Sequence, residues 1–280
     1  MSGSDLTAGL QQLAVHLQES AAGLGQLAVD VAAVADALTD APKPPEPKPP
    51  DPVPGPVRHP TGVIPEFTRW TTMTTTGSEG DPDNEFYLGE SVPGVYYVGT
   101  DGGVVFNCDP NGYHSSGSKF PRVENRMQSD KPNTWTPKSA WSSSGNHKLS
   151  AELSIDTSKL SARKRGNAIQ IHDGGDDVCQ IMKHESWGLG LMHSDGKKWE
   201  SIDPNYKDGQ RFACEIQAVN NRIVVLYNGI KKVDIAKTGT GWFWKIGAYV
   251  QTGGASEFKE PQGARYRVTV YSCAITGGAY

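Results

Sequence analysis

The stretch that decides the fold is RFACEIQAVNNRIVVLYNGIKKVDI, residues 211–235. From Phe212 to Ala218, apolar and polar residues alternate, a period of two that is typical of a strand with one buried face. The dipeptide Asn228-Gly229 lies between two further β-rich runs, and this pair strongly favours a two-residue hairpin turn. The stretch therefore predicts a strand followed by a β-hairpin.

The same β pattern recurs along most of the chain after about residue 63, and no convincing long helix interrupts it. Short strands are expected at Leu149–Ile155, Ala168–His172, Val178–Met182 and Arg265–Ile275. They are separated by turns rich in Gly, Asn and Asp. Many short strands with such turns predict an all-β fold of two packed sheets, a sandwich or jelly roll.

Composition and charge exclude several classes of protein. Of the 280 residues, 36% are hydrophobic, which is lean but adequate for a core. Residues 1–56 hold seven acidic and two basic residues, and the remainder holds 24 acidic and 25 basic residues. A nearly neutral body does not resemble a nucleic-acid binder. No run approaches the ~18 apolar residues of a membrane span, so neither nucleic acid nor membrane is expected as a partner.

The N-terminal segment repeats in sevens. One series is Leu10, Leu17, Leu24, Val31, Leu38, and the other is Leu6, Leu13, Ser20, Leu27, Val34. Steps of four and three form the seam of a coiled coil, so residues 1–40 are expected to self-associate as an oligomerising helix. An amphipathic helix docked on its own domain is the alternative.

A proline-rich stretch follows, and it divides the chain. Ten of the 19 prolines lie between Pro42 and Pro60. Such a segment favours an extended polyproline spacer of about 3.1 Å per residue. The expected domains are thus the helix at 1–40, a linker at 41–62 and a β-jelly-roll domain at 63–280.

The four cysteines and the N-terminus bear on the setting of the protein. Cys108, Cys179, Cys214 and Cys273 form no tight pair, so zinc is not expected; buried thiols or one or two disulfides both remain open. The N-terminus lacks a cationic start and a continuous apolar run, so no secretory signal is expected. Asp81, Asp83 and Glu85 have calcium-loop spacing without the rest of that pattern and are expected to form a solvated turn.

Three segments offer polar faces that a plain sandwich strand would not. Because strand side chains alternate, Arg122, Glu124 and Arg126 share one face. Gln170 and His172 share a face of the second segment. On the third, the shared face holds Lys245, Gly247, Tyr249 and Gln251. Each face is backed by an apolar one, so the three strands together could line a wet groove, with Gly247 leaving room for a ligand.

These segments resemble the three signature regions of the alginate lyases of polysaccharide lyase family 7, over roughly residues 63–280. The family pattern is Arg-Ser/Thr-Glu-Leu/Val-Arg, then Gln-Ile/Val-His, then Tyr-Phe-Lys-Ala-Gly-Val/Ile-Tyr-x-Gln. The chain departs from it at Val123, Asn125, Phe243, Trp244, Ile246 and Ala248. The resemblance implies a β-jelly roll of two sheets with a concave cleft.

The resemblance also implies β-elimination on a 4-linked uronic-acid polymer, with Arg122, Gln170, His172 and Tyr249 as catalytic residues. Arg122 and Gln170 would neutralise the uronate carboxylate. Tyr249 would act as acid, and either Tyr249 or His172 as base. Substrate-binding roles fall to Glu124, Arg126, Lys245 and Gln251. No metal or other cofactor is required.

Two rival functions remain open from sequence alone. The same fold could serve as a non-catalytic glycan-binding module, or as a knob on an adhesin or tail fibre. Retention of Gln170, His172 and Tyr249 favours the enzyme. A spaced, multimeric lyase without a signal peptide resembles a phage tail-associated depolymerase, an analogy of architecture only.

Overall fold

The computed structural model describes residues 12, 16, 18, 20, 21, 59–78, 81–85, 91–127, 140–175, 177–194 and 196–277, with backbone alone for 81–85. The chain divides into two units, Met1–Asp51 and Pro52–Tyr280. In the first unit the five described residues are helical and exposed. Of the ten predicted seam positions only Ser20 is among them, so the predicted coiled coil lies outside the described residues.

The second unit begins with a helical turn, α1 (Pro60–Val63), and a 3₁₀ helix (Pro65–Arg69). The turn lies within the predicted spacer. Pro60 stands in the first turn of α1, where its missing N–H costs no hydrogen bond. Ile64, Phe67 and Trp70 are almost fully buried within the domain expected from residue 63, and Pro60 just before it is buried as well.

Fifteen strands follow in the described part. They are β1 (Trp70–Ser78), β2 (Asp81–Glu85), β3 (Tyr96–Val98), β4 (Val104–Cys108), β5 (Arg122–Met127), β6 (Asn146–Asp156), β7 (Gly166–His172), β8 (Asp177–His184), β9 (Gly188–His193), β10 (Lys198–Asp203), β11 (Arg211–Val219), β12 (Arg222–Tyr227), β13 (Ile230–Ala236), β14 (Phe243–Val250) and β15 (Tyr266–Thr276).

These strands form two antiparallel sheets. The eight-stranded sheet has the order β10-β9-β8-β7-β14-β5-β1-β2, and the seven-stranded sheet has the order β13-β12-β11-β6-β15-β4-β3. Strands β14 and β15, at the middle of each sheet, face one another across the interior. This confirms the predicted all-β two-sheet sandwich.

Local patterns explain the strands that the sequence identified. Burial alternates along β11, as its sequence predicts. Asn228 and Gly229 adopt positive φ angles of 49° and 80°, the conformation that a type I′ hairpin turn requires between β12 and β13. The four cysteines are free thiols, three of them buried, which decides between the two alternatives left by the sequence.

One local prediction is wrong. Residues 81–85 form β2, which pairs with β1 at the edge of the larger sheet, instead of a solvated turn. An edge strand tolerates acidic residues and proline because one side of its backbone is unpaired. No helix in the described part of the chain has the length and apolar character needed to cross a membrane.

Candidate active site

Three neighbouring strands of the eight-stranded sheet carry the polar faces predicted from the sequence. Strand β14 lies between β5 and β7. Lys245 pairs with Arg126 on one side and with Gln170 on the other, and Tyr249 pairs with Arg122. Paired residues share a face of a sheet. The register therefore brings the motif residues of all three strands onto one surface, facing away from the core.

Glu124 lies at the centre of this surface and is only 3% exposed. Its Oε2 is 3.7 Å from Lys245 Nζ and 3.7 Å from Arg122 Nη1. Its Oε1 accepts a hydrogen bond from the Gln170 amide nitrogen. Three neighbours therefore surround the carboxylate, with the two cations at Oε2 and Gln170 at Oε1.

Gln170 is fully buried, and its amide nitrogen donates to Glu124. Its amide oxygen and the Nε of Arg122 are buried without a hydrogen-bond partner among the described residues. Buried polar groups are usually paired, so an unpaired one calls for an explanation such as a functional role. Arg122, whose side chain is 12% exposed, is thus the group of this pair that faces solvent.

Tyr249 is held by contacts from three sides. The Arg122 guanidinium carbon lies 4.0 Å from the centroid of its ring, and Phe120 packs edge-on at 6.3 Å. The phenol oxygen shares a hydrogen bond of 3.0 Å with Ser118 Oγ. Burial raises the pKa of Tyr249 although Arg122 and Ser118 oppose it. The phenol therefore carries its proton at neutral pH.

His172 is held in one tautomer. Its Nδ1–H donates to the Asp173 carbonyl oxygen, because a carbonyl can only accept. Nε2 consequently carries the lone pair, and Asp177 Oδ1 lies 3.6 Å from it. Burial, reinforced by the charge of Lys245, lowers the pKa of His172 to about 4. At neutral pH the imidazole is uncharged and can accept a proton at Nε2.

The remaining cations keep the surface positive. Burial lowers the pKa of Lys245 to about 8, although the Glu124 carboxylate opposes the shift. The Arg126 guanidinium carbon lies 4.3 Å from the centroid of the Phe243 ring, which in turn packs at 5.3 Å against His172. Burial also lowers the pKa of Arg126. Arg122, Arg126 and Lys245 therefore line the surface, with the buried carboxylate of Glu124 among them and that of Asp177 beside His172.

His172 and Tyr249 lie towards opposite ends of this surface. His172 pairs with Phe243, whereas Tyr249 pairs with Asn167. The charges of Arg122 and Glu124 nevertheless influence the pKa values of both rings, and the charge of Asp177, which contacts His172, also influences that of Tyr249. The two groups therefore share one face of the sheet, with Glu124 between them.

Gly247 and Gln251 are the remaining residues of the third predicted polar face. A Cβ at Gly247 would meet Val123 O at 2.6 Å and Phe106 Cδ1 at 2.8 Å, on the neighbouring strand and in the core. With φ of 140° and a bulge against β7, this position requires glycine for the packing of the sheet. Gln251 follows the end of β14, and its backbone N–H donates to Arg165 O.

Sequence reasoning missed several residues of the site. Ser118 and Phe120 lie in a loop, and no local sequence pattern predicts that this loop contacts Tyr249. Asp177 was detectable, because a tight turn after His172 returns the chain directly opposite it. Among the residues the structure describes, no three His, Cys, Asp or Glu side chains converge as metal ligands would.

Comparison with known proteins identifies the family. Residues 69–276 match the model of the alginate lyase family Alginate_lyase2. Among solved structures, the family 7 alginate lyase AlgAT5 shares 25% identity and a TM-score of 0.69, covering 79% of this chain and 99% of that one. An alginate lyase from Corynebacterium sp. shares 25% identity and a TM-score of 0.71, covering 80% and 100%.

A more distant structure, alginate lyase A1-II′, shares 17% identity with a TM-score of 0.63, covering 79% of this chain and 100% of that one, and so supports the fold alone. Among curated proteins, none matches the sequence. The family model spans almost the whole β-sandwich and includes every candidate site residue. The chain belongs to the alginate lyases of polysaccharide lyase family 7, and its β-sandwich is a polysaccharide lyase domain.

Proposed function

We propose that this lyase cleaves a 4-linked uronic-acid polymer of the alginate type by β-elimination, with Arg122, His172 and Tyr249 as the groups that act on the substrate. The observation that carries the proposal is the pairing of a neutral imidazole with a protonated phenol on one cationic surface. An elimination needs one group to remove a proton and another to protonate the leaving oxygen. His172 and Tyr249 have the matching protonation states at neutral pH.

In the proposed reaction Arg122 binds the uronate carboxylate and lowers the cost of the negative charge that develops when C5 loses its proton. His172 Nε2 takes that proton. The C5 electron pair forms the C4–C5 double bond as the C4–O4 bond breaks, and Tyr249 protonates O4. The phenolate that remains lies beside Arg122, which is suited to stabilise it until the proton returns from His172 or water.

The other residues act by position. Glu124 fixes Arg122 and Lys245, and Gln170 fixes Glu124. Lys245 and Arg126 are suited to bind carboxylates of neighbouring units, since both retain charge near neutral pH. From the sequence, Gln170 and Glu124 were expected to contact the substrate directly. In this proposal they act indirectly, because both side chains are buried.

The test is incubation of the full chain with a panel of uronans: polyguluronate, polymannuronate, mixed alginate and glucuronan. Each elimination creates a C4–C5 double bond conjugated to a carboxylate, which absorbs ultraviolet light. Product from at least one alginate fraction supports the proposal. Tight binding to a uronan with no unsaturated product would favour a non-catalytic glycan-binding module.

We also propose that residues 1–40 self-associate through the heptad seam. The support is the sequence pattern alone, because nine of the ten seam positions are Leu or Val. An oligomer would present several lyase domains to one polymer chain and raise the effective concentration of sites.

A further inference from the structure

An aromatic cluster lies at the outer side of the eight-stranded sheet, away from the residues used above. It consists of His184 at the end of β8, Trp187 in the next turn and Trp199 on β10. The His184 and Trp187 rings stack with centroids 3.9 Å apart at an interplanar angle of 10°. Trp199 lies 5.4 Å from Trp187 and 5.8 Å from His184. We call these three residues the aromatic platform.

The platform shares a face of the sheet with the catalytic residues. Direct pairing links Tyr249, on β14, in one cross-strand row with Asn167, Met182 and Gly190. A Cβ added at Gly190 would collide with the Trp199 indole, so that ring lies across this row on the Tyr249 face. Three strand spacings separate the backbones of Tyr249 and Gly190, roughly 14 Å.

Trp187 is the exposed member of the platform. It is 48% exposed although one of its faces is stacked on His184. A half-exposed indole leaves an apolar surface in water, and covering such a surface is favourable. Such a flat surface suits the C–H face of a pyranose ring, which is apolar while its edge carries the hydroxyl and carboxylate groups.

Basic residues flank the platform on the side of Tyr249. Arg165, which immediately precedes β7, places Nη1 2.9 Å from His184 Nε2. Burial lowers the pKa of His184, and its Nδ1 accepts a hydrogen bond from the backbone N–H of Ser186. Arg165 has no carboxylate partner among the described residues, and its Nε is buried without a hydrogen-bond partner. Arg163 Nε lies 3.8 Å from Glu185 Oε1.

We infer that the aromatic platform and Arg165 form a distal subsite that binds a uronate unit of the same polymer chain, several units from the bond that is cleaved. Trp187 stacks on the sugar ring, and the Arg165 guanidinium faces its carboxylate. The shared sheet face, the continuous row from Tyr249 and the Arg165 guanidinium, which lacks a carboxylate partner among the described residues, favour a polyuronate as the occupant. The inference rests on the proposed function, because the subsite serves the same polymer.

A distal subsite makes a prediction that depends on substrate length. Trp187→Ala should lower kcat/KM on polymeric alginate at least ~10-fold, through KM, while kcat stays near wild type. On the shortest alginate oligosaccharide that the wild type cleaves, the variant should match the wild type, because such a ligand does not reach the platform. Trp187→Phe, which keeps a ring, should recover most of the loss. The control is Ile230→Ala, at another exposed apolar residue, on the hairpin of the other sheet. It should leave the kinetics on both the polymer and the oligosaccharide unchanged.

Three outcomes are decisive. A length-dependent loss in Trp187→Ala with recovery in Trp187→Phe supports the subsite. Equal kinetics of Trp187→Ala and wild type on polymer, or an equal loss on substrates of all lengths, overturns the subsite while leaving the proposed function intact. A wild-type protein that cleaves no alginate fraction overturns the proposed function and this inference with it.

Discussion

The guanidinium carbon of Arg122 lies 4.0 Å above the ring of Tyr249, on adjacent strands of the same sheet. One cation is thereby shared between a carboxylate, Glu124, and a phenol. The contact opposes the effect of burial, which raises the pKa of Tyr249. The phenol is thus kept protonated at rest, while the phenolate formed by giving up its proton would have a cation beside it.

Arg122→Ala and His172→Ala should each reduce the rate of product formation at least ~100-fold, because one removes charge stabilisation and the other the proposed base. Steady-state kinetics on the cleaved uronan measure this. Arg222→Ala, which removes an exposed ion pair with Asp234 on the other sheet, is the matched control and should leave the rate unchanged. A His172→Ala variant with the wild-type rate would rule out the proposed base.

Glu124→Gln should destabilise the fold by about 3–5 kcal/mol, because it leaves the partly buried Arg122 and Lys245 without their carboxylate. Chemical denaturation of the truncated domain, residues 57–280, measures this. Glu215→Gln removes a half-exposed ion pair with Lys148 on the other sheet and should cost less than about 1 kcal/mol. Similar losses in the two variants would contradict the central role given to Glu124.

The pH profile of kcat/KM should show limbs set by His172 and Lys245. Above its pKa of about 4 the imidazole is a free base, and below its pKa of about 8 the ammonium is charged, so activity should be highest between those values. Lys245→Arg should move the alkaline limb upwards, since guanidinium stays charged. An alkaline limb that stays in place in this variant would exclude Lys245 as its cause.

Acid should also weaken the fold in a predictable window. The pKa of His172 is lower in the folded protein than its ordinary value of 6.5, so the unfolded chain binds the proton first. Stability contributed by the neutral imidazole is therefore complete above about pH 6.5 and is lost as the pH falls towards 4. His172→Phe should flatten this part of a stability-versus-pH curve measured by denaturation; an unchanged slope would contradict the assignment.

The full chain should be oligomeric, and deletion of residues 1–56 should give a monomer with intact single-site activity, because every site residue lies after residue 117. Light scattering over a concentration series distinguishes the two states. Leu17→Asp with Leu24→Asp should act like the deletion by placing like charges in the seam. A full-length monomer would favour a helix docked on its own domain.

Activity should survive exhaustive chelation, since the proposed chemistry uses Arg122, His172 and Tyr249 alone. The check is the initial rate after dialysis against a chelator. Loss of activity with recovery on adding calcium would contradict the metal-free reaction and direct attention to Asp81 and Glu85.

Local sequence patterns predicted the parts of the fold that depend on residues close together in the chain. The alternation in β11 and the Asn228-Gly229 turn reported strands and a hairpin because side-chain period and turn conformation are local properties. Strands β1 to β4, β9 and β10 were not identified. Their pairing joins residues far apart in the chain, and Asp81–Glu85 in particular becomes a strand only because β1 lies beside it.

The site shows the same division. Alternation correctly placed Arg122, Gln170, His172 and Tyr249 on polar faces. It could not reveal that Glu124 would be enclosed by Lys245 and Arg122, because that depends on the register of three strands. The structural need for glycine at position 247 was hidden for the same reason, because it arises from a bulge between β14 and β7. The contact between Ser118 and Tyr249 joins residues 131 positions apart and leaves no sequence signal.

The most direct test of the account is the turnover and binding of Tyr249→Phe on the uronan that the wild type cleaves. Removing only the phenol oxygen deletes the proposed acid and the hydrogen bond to Ser118 while keeping the ring against Arg122. The account predicts that formation of unsaturated product falls nearly to zero while oligosaccharide binding, followed by calorimetry, is retained. Cleavage by Tyr249→Phe at the wild-type rate would contradict it.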